Sequence, residues 1–417
     1  MSLSSRKCAS GGLTAVAASA AATLFAPAAG AADVFYQPIV SVSTAYNTNI
    51  DLDPVARQSA EGYFADAATT IGIATPRSET TLQPRLLYNY YPSASQRNRL
   101  EGFLNMNTRY SWERDRFRMT GFFDHRDDVN AEQPSATYNS VNPGLGNTTP
   151  GTGRILVGTT RNYVVVDPTY SHLLTPLSSV GIAAEYQRLT YSSSNAAGAP
   201  NTTGQVDFNY YQGRLFYAKT INQRTDIDIG AYASKYVASN IDSHSTAAGI
   251  QAGGSYNWSQ TLQSSLTVQW QRTKFQENSP RVFDVTSNPW AASFTTVYKE
   301  QASSYTFFLG RTIYPSSAGG LYTTDQVRGQ YDRDFTQRWH FQGAVRFFRD
   351  RTTTGVINND TRNYLTGNLK LQYMLSPTMF VAGSYIYVYQ KYHFDPTSAQ
   401  ANVVALSFGY RGLDRQR

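Results

Sequence analysis

A short run near the C-terminus constrains this chain more than any other feature. Asn402 to Tyr410 reads NVVALSFGY, with Val404, Leu406, Phe408 and Tyr410 on one parity and Ala405, Ser407 and Gly409 on the other. Successive side chains of a strand point to opposite faces, so this run makes one face of large apolar residues and one of small or polar ones. Such a strand suits lipid on one side and water on the other. Many similar segments precede it, and this one must pair with the first to close a cylinder. The expected fold is all-β: a transmembrane antiparallel up-and-down β-barrel in a bacterial outer membrane.

The first residues agree with export. Arg6 and Lys7 precede an apolar run, Leu13 to Phe25, and Ala29-Gly30-Ala31 supplies a small-residue cleavage site. That is the layout of a secretory signal peptide, too short to cross a bilayer as a helix. Residues 1–31 are read as the signal peptide and 32–417 as the barrel. Cys8, the single cysteine, lies before the apolar run and leaves with the peptide. The mature chain then has neither disulfides nor thiolate metal sites.

Composition separates a barrel from a helical membrane protein. The chain has 30 tyrosines and 21 phenylalanines with a mean hydropathy of −0.41. Beyond residue 31 no apolar run approaches the roughly 18 residues of a spanning helix. A barrel hides its apolar content in alternation, and its tyrosines form girdles at the two interfaces. A tyrosine-rich soluble β-protein of the periplasm is the lesser alternative. The net charge of +7 is scattered rather than clustered, which together with export argues against nucleic acid. The expected partners are outer-membrane lipid and lipopolysaccharide, or an anionic solute in the lumen.

Short turns recur: Trp112 to Phe117, Leu174 to Leu177, Ile221 to Thr225, Trp258 to Leu262, Phe335 to Trp339 and Leu375 to Met379. Longer polar stretches fall between them, as barrels require with short periplasmic turns and long outer loops. Strands are predicted at 38–48, 63–74, 80–90, 99–112, 117–125, 162–173, 178–190, 207–220 and 225–236. The second half is predicted at 245–257, 262–274, 290–299, 304–313, 321–331, 339–349, 362–374, 379–390 and 402–411. The count is 18, with 16 as the alternative if the second and twelfth are dropped. Parity favours 18, because every short turn must face one side.

Alternation assigns the faces. Leu100, Leu104, Met106, Tyr110 and Trp112 face lipid opposite Glu101, Asn105, Asn107 and Arg109. Trp339, Phe341, Val345 and Phe347 do so opposite His340, Gln342 and Arg346. Leu365, Leu369, Leu371 and Tyr373 do so opposite Thr366, Asn368, Lys370 and Gln372. A one-residue slip would put charges in lipid, at about 2–4 kcal/mol each near the midplane. Pro84 and Pro168 fall inside strands and predict a bulge at each. The longest irregular stretch, within 127–158, reads as an exposed loop, with a constriction folded into the lumen as the alternative.

A barrel of this size can hold a water-filled channel, so inward residues are the candidate site. Arg85, Arg109, Arg118, Arg214, Arg328, Arg346 and Lys370 point inward, and so do Glu101, Asp124, Asp167, Glu185, Asp226 and Asp228. The two signs nearly balance. Arg328, Arg346 and Lys370 sit on consecutive strands, with Arg346 placed higher than the other two, within roughly 13 Å along the wall. They are read either as a loose basic patch for carboxylates or phosphates or as a structural ladder. Tyr210, Phe216 and Tyr232 point inward as candidates for stacking on a saccharide. The histidines show no metal-ligand spacing, and no catalytic motif stands out, so neither an enzyme nor a cofactor is expected.

Three stretches also resemble a known group. Ser41 to Pro54 (SVSTAYNTNIDLDP), Ile313 to Leu321 (IYPSSAGGL) and the terminal YRGLDRQR are similar to segments of the β-barrel porin type 2 group of bacterial outer-membrane proteins, some associated with exopolysaccharide systems. The resemblance implies an exported polysaccharide or related solute as cargo, and a polysaccharide-synthesis system as partner. The expected function is a porin-like channel for a hydrophilic solute, a saccharide or exopolysaccharide chain. The alternative is a non-conducting surface receptor or structural barrel presenting long external loops.

Overall fold

The computed structural model describes residues 32–137, 158–193, 205–238, 242–277, 283–353, 361–393 and 396–412. The proposed signal peptide and residues 138–157 of the long loop lie outside them. The first strands are β1 (Asp33–Asn47), β2 (Ala60–Ala74), β3 (Ser78–Tyr90), β4 (Arg99–Ser111), β5 (Asp115–Asp127) and β6 (Thr159–Thr175). Next come β7 (Ser178–Ser193), β8 (Phe208–Asn222), β9 (Thr225–Ala238), β10 (Ser243–Asn257), β11 (Leu262–Glu277), β12 (Phe283–Ser287) and β13 (Trp290–Lys299). The chain ends with β14 (Ser303–Ser316), β15 (Gly320–Asp334), β16 (Trp339–Thr352), β17 (Arg362–Met374), β18 (Met379–Tyr392) and β19 (Ala399–Arg411).

Apart from β12 and β13, which both pair with β11, each strand pairs antiparallel with its neighbours in sequence, and β19 pairs with β1 from Ile39↔Arg411 to Asn47↔Val403. The sheet is therefore closed. β12 and β13 both lie against β11 in one register, Ser287 facing Thr273 and Trp290 facing Trp270, so they form a single wall strand broken at Asn288-Pro289. The wall thus has 18 strands. The break follows from Pro289, which lacks the N–H a ladder needs, although its carbonyl still accepts from Gln271 at 3.2 Å.

The two prolines inside strands behave otherwise than expected. At Pro84 and Pro168 the ladder skips two residues, and the register on either side is unchanged. Proline costs a bond there without adding a residue, because alternation beyond it already holds the faces. The irregularities lie instead at Leu173/Thr175 and Thr220/Asn222, beside short turns where the strands begin to splay.

The outer face is apolar. Leu215 is 63 % exposed and Val404 59 %, whereas inward Arg346, between Val345 and Phe347, is 2 % exposed. A closed sheet leaves no backbone group unpaired at an edge, which is the condition for crossing hydrocarbon without a helix. Aromatic pairs such as Trp339–Tyr373 and Tyr298–Tyr305 band the end that carries the short turns. The chain is an outer-membrane β-barrel, with both described ends of the wall on the short-turn, periplasmic side.

Candidate functional site

The lumen has two levels. In the periplasmic half, inward charges pair across neighbouring strands. Arg85 donates to both oxygens of Asp66 at 2.8 Å, Arg109 bonds Glu79 at 2.8 Å, and Arg214 pairs with Asp228. Alternation sets their side, since Leu86 and Tyr88, of the parity opposite to Arg85, and Leu215 beside Arg214 are exposed on the lipid face. Arg214 also lies over the Phe216 ring, 5.2 Å from its centre. Wetted ion pairs of this kind contribute little to stability and keep the wall polar.

The outer half is filled. A cluster of inward residues, including Tyr163, Val165, Leu189, Phe208, Tyr210 and Tyr236, is nearly excluded from water. The β14–β15 hairpin leans across it: Tyr236 donates its hydroxyl to the Ser316 carbonyl at 2.8 Å, and Ser243 bonds the Gly319 carbonyl at 2.9 Å. Residues 48–59 fold inward as well, with Leu52 packed against Phe348, Tyr364 and Val388.

The chain after β5 completes the closure. Asp128–Ala131 makes one helical turn whose Val129 amide is capped by the Asp127 carboxylate at 3.1 Å. From there residues 128–137 form a strap to the far wall. Arg328 donates Nε to the Ala136 carbonyl at 2.8 Å, Arg346 reaches the Ser135 carbonyl at 3.5 Å, and Arg362 donates to the Glu132 carbonyl at 2.6 Å. Tyr364 bonds the Pro134 carbonyl at 3.3 Å. At its origin the strap is held by acids: the Asn130 amide donates to Glu101 at 2.7 Å, and Arg97 lies 3.5 Å from Asp127. The described part of the long loop is therefore folded into the lumen, which corrects the exposed-loop reading. Buried arginines and buried carbonyls satisfy one another only in that position.

The basic trio is rearranged. Arg328 and Arg346 are direct cross-strand partners, so Arg346 is not higher than Arg328. Lys370 opposes Gln342, four residues lower on β16, roughly 13 Å along the strand. The third arginine that reaches the strap is Arg362, which the inward list omits and which opposes Asp350, four residues above Arg346 on β16. It occupies the inward parity of β17 with Thr366 and Lys370 and stacks over Tyr364 at 4.6 Å. Arg362 opens the strand predicted at 362–374, so that strand's own alternation already carried its inward parity.

Between the levels lies a cavity of ≈ 240 Å³ bounded by β7, β8, β11, β13 and β14. Gln187, Gln212, Gln269 and Gln271 line it beside Tyr210. Tyr210 donates to Gln212 at 2.7 Å, Tyr163 to Gln187 at 2.8 Å, and Tyr232 to Gln271 at 2.8 Å while accepting from Gln269. Tyr210 and Tyr232 thus belong to one amide-rich wall, and Phe216 and Arg214 lie lower on β8. Side-chain amides offer both donors and acceptors without charge. These glutamines alternate with apolar residues in ordinary strand fashion, so their convergence had no local signal. Among the described residues no group of histidine, aspartate and glutamate could hold a metal ion.

No protein-family model matches the chain, and no curated protein resembles it in sequence. Solved structures with a similar outline include OccAB3 of Acinetobacter baumannii, 9% identical with a TM-score of 0.44, over 91% of this chain and 99% of that one. Another is OccK2 (OpdF) of Pseudomonas aeruginosa in complex with glucuronate, 12% identical with a TM-score of 0.42, covering 91% and 98%. The siderophore receptor PiuA of Acinetobacter baumannii is 9% identical with a TM-score of 0.44, covering 90% and 82%. At such scores these likenesses carry no functional argument.

Proposed function

We propose that the protein is a porin-like channel passing a hydrophilic, hydroxyl-rich solute, a saccharide or an exported exopolysaccharide chain, with the strap as its constriction. The observation that carries this reading is the amide and tyrosine wall, where Gln187, Gln212, Gln269 and Gln271 surround Tyr210 in the lumen. A sugar hydroxyl both donates and accepts, and the amides answer both roles, with the Glu185 carboxylate, itself accepting from Gln187, as a further acceptor in the same cavity. Arg328 and Arg346 serve the strap in this reading, so they shape the passage, while Arg85, Arg214 and Lys370 remain on the polar wall below. A polysaccharide-synthesis system is the matching partner, and neighbouring genes of that kind would support it.

Ion current through a planar bilayer tests the proposal. The full barrel should conduct, linear oligosaccharides should block the current transiently, and Gln269→Leu with Gln271→Leu should shorten the blocks severalfold. A folded barrel that conducts but ignores oligosaccharides overturns the cargo. The packed outer half of the lumen favours a second reading, a non-conducting receptor or structural barrel. Absence of current in a correctly folded preparation would select it.

A further inference from the structure

On the outer face, apart from the lumen, three arginines gather around one acid. Arg311 of β14 faces Asp325 of β15, Asp325 faces Arg349 of β16, and Arg351 lies two residues further up β16. Their parity is that of Leu309, Val327 and Phe347, all exposed on the lipid side. Arg311 grips Asp325 through two bonds of 2.6 and 3.0 Å, and Arg351 pairs with the same carboxylate. Arg311 also stacks over Trp290, 4.3 Å from the ring centre. A single carboxylate offsets one of three guanidinium charges, so the cluster keeps an excess of positive charge.

Its height is informative. Arg349 lies roughly 33 Å along β16 from Trp339 at about 3.3 Å per residue, which a strand tilt near 40° turns into about 25 Å across the membrane. That is the full depth of the apolar band, so the cluster stands at the headgroup level of the outer leaflet. Directly continuous with it is an apolar groove of ≈ 410 Å³, walled by Leu266, Trp290, Phe294, Leu309, Val327 and Phe347. Arg311 and Asp325 form its upper rim.

We infer that this is a binding site for a phosphorylated, acylated glycolipid of the outer leaflet. The acyl chain occupies the groove and the phosphate meets the arginines. Guanidinium forks match a phosphate's paired oxygens, and Arg311 spends only part of its five donors on Asp325. The groove selects lipid over a free anion, because an ion without a chain would leave the apolar wall unused. Asp325 holds two arginines in place and keeps the cluster from over-binding.

Native mass spectrometry of the full barrel in detergent, with a bisphosphorylated lipid A as the probe, tests the site. The unmodified barrel should retain the lipid. Arg349→Glu should weaken retention at least tenfold, and Arg349→Glu with Arg351→Glu should abolish it. Both variants should still show the slow-to-fast gel shift of a folded barrel. The same glycolipid stripped of phosphate should bind no better to the unmodified barrel than to the variants. Equal retention by the folded variants would overturn the inference, as would equal binding of the phosphate-free lipid. Displacement by millimolar inorganic phosphate would reduce the site to one for a free anion. A dimer lost in Arg349→Glu without bound lipid would assign the groove to a second copy of this chain.

Discussion

Arg328 and Arg346 face each other across β15 and β16, 1 % and 2 % exposed. Two like charges tolerate that proximity because other groups claim them. Arg328 serves the Ala136 carbonyl; Arg346 bonds the Gln326 amide oxygen at 3.1 and 2.8 Å and stacks over Phe348 at 4.9 Å. The barrel wall thus presents a row of donors shaped to a folded segment of its own chain.

Arg346→Ala and Arg362→Ala should loosen the strap. Arg346→Ala removes a donor from the Ser135 carbonyl, and Arg362→Ala leaves the buried Glu132 carbonyl without its arginine donor, a cost of about 1–3 kcal/mol for the buried group. Limited proteolysis within 128–137 should accelerate about tenfold or more in the double variant, with unchanged barrel migration on a gel. Unchanged cleavage would mean the strap is held from its acidic end alone.

Spin labels walked through residues 364–373 should alternate in accessibility. Positions 365, 369, 371 and 373 should favour oxygen, and 368 and 370 should favour a water-soluble nickel complex. Position 366 should be shielded from both, since Thr366 is 1 % exposed beneath the strap. A smooth profile without the two-residue period would contradict the closed, wet-centred cylinder.

Two glycines in similar sequence settings should respond oppositely to alanine. A Cβ on Gly249 would lie 2.3 Å from the Trp270 carbonyl oxygen, backbone that cannot move without opening the β10–β11 ladder. A Cβ on Gly383 meets nothing within 4 Å. Urea unfolding in lipid vesicles should show Gly249→Ala destabilised by about 1–3 kcal/mol, in the range of overpacking, and Gly383→Ala unchanged or slightly stabilised.

Alkaline pH should release the outer cap at Tyr91. This residue lies just beyond β3, packed with Ile50, Ala60 and Ala94. Burial is the largest influence on its hydroxyl and raises the pKa to about 12. The folded value exceeds the unfolded one, so the stability contribution is complete below about pH 10 and lost as pH rises toward 12. Two units correspond to about 2–3 kcal/mol. Hydrogen exchange of residues 48–59 should quicken between pH 10 and 12, and Tyr91→Phe should remove that dependence.

Much of this architecture was legible before any coordinates, for a physical reason. A membrane strand must put apolar atoms outward and polar or small ones inward, and a period of two writes that demand directly into segments such as Leu365 to Tyr373. The closure, the 18 strands, the parity of Arg85, Arg214, Arg328, Arg346 and Lys370, and the side of the short turns all follow from it.

What the amino-acid order left open concerns segments that obey no period. Whether residues 128–137 stand outside or lie inside depends on carbonyls meeting Arg328, Arg346 and Arg362, which are about 190 to 230 residues away in sequence. The glutamine wall needs β7 and β8 brought to face the same space as β11, with β9 and β10 between them, and the outer arginine cluster needs the register of three strands. Local sequence dictates which face a side chain takes, because that is decided by its immediate neighbours. Only the folded cylinder decides what it meets there, because those partners come from across the lumen or around the wall.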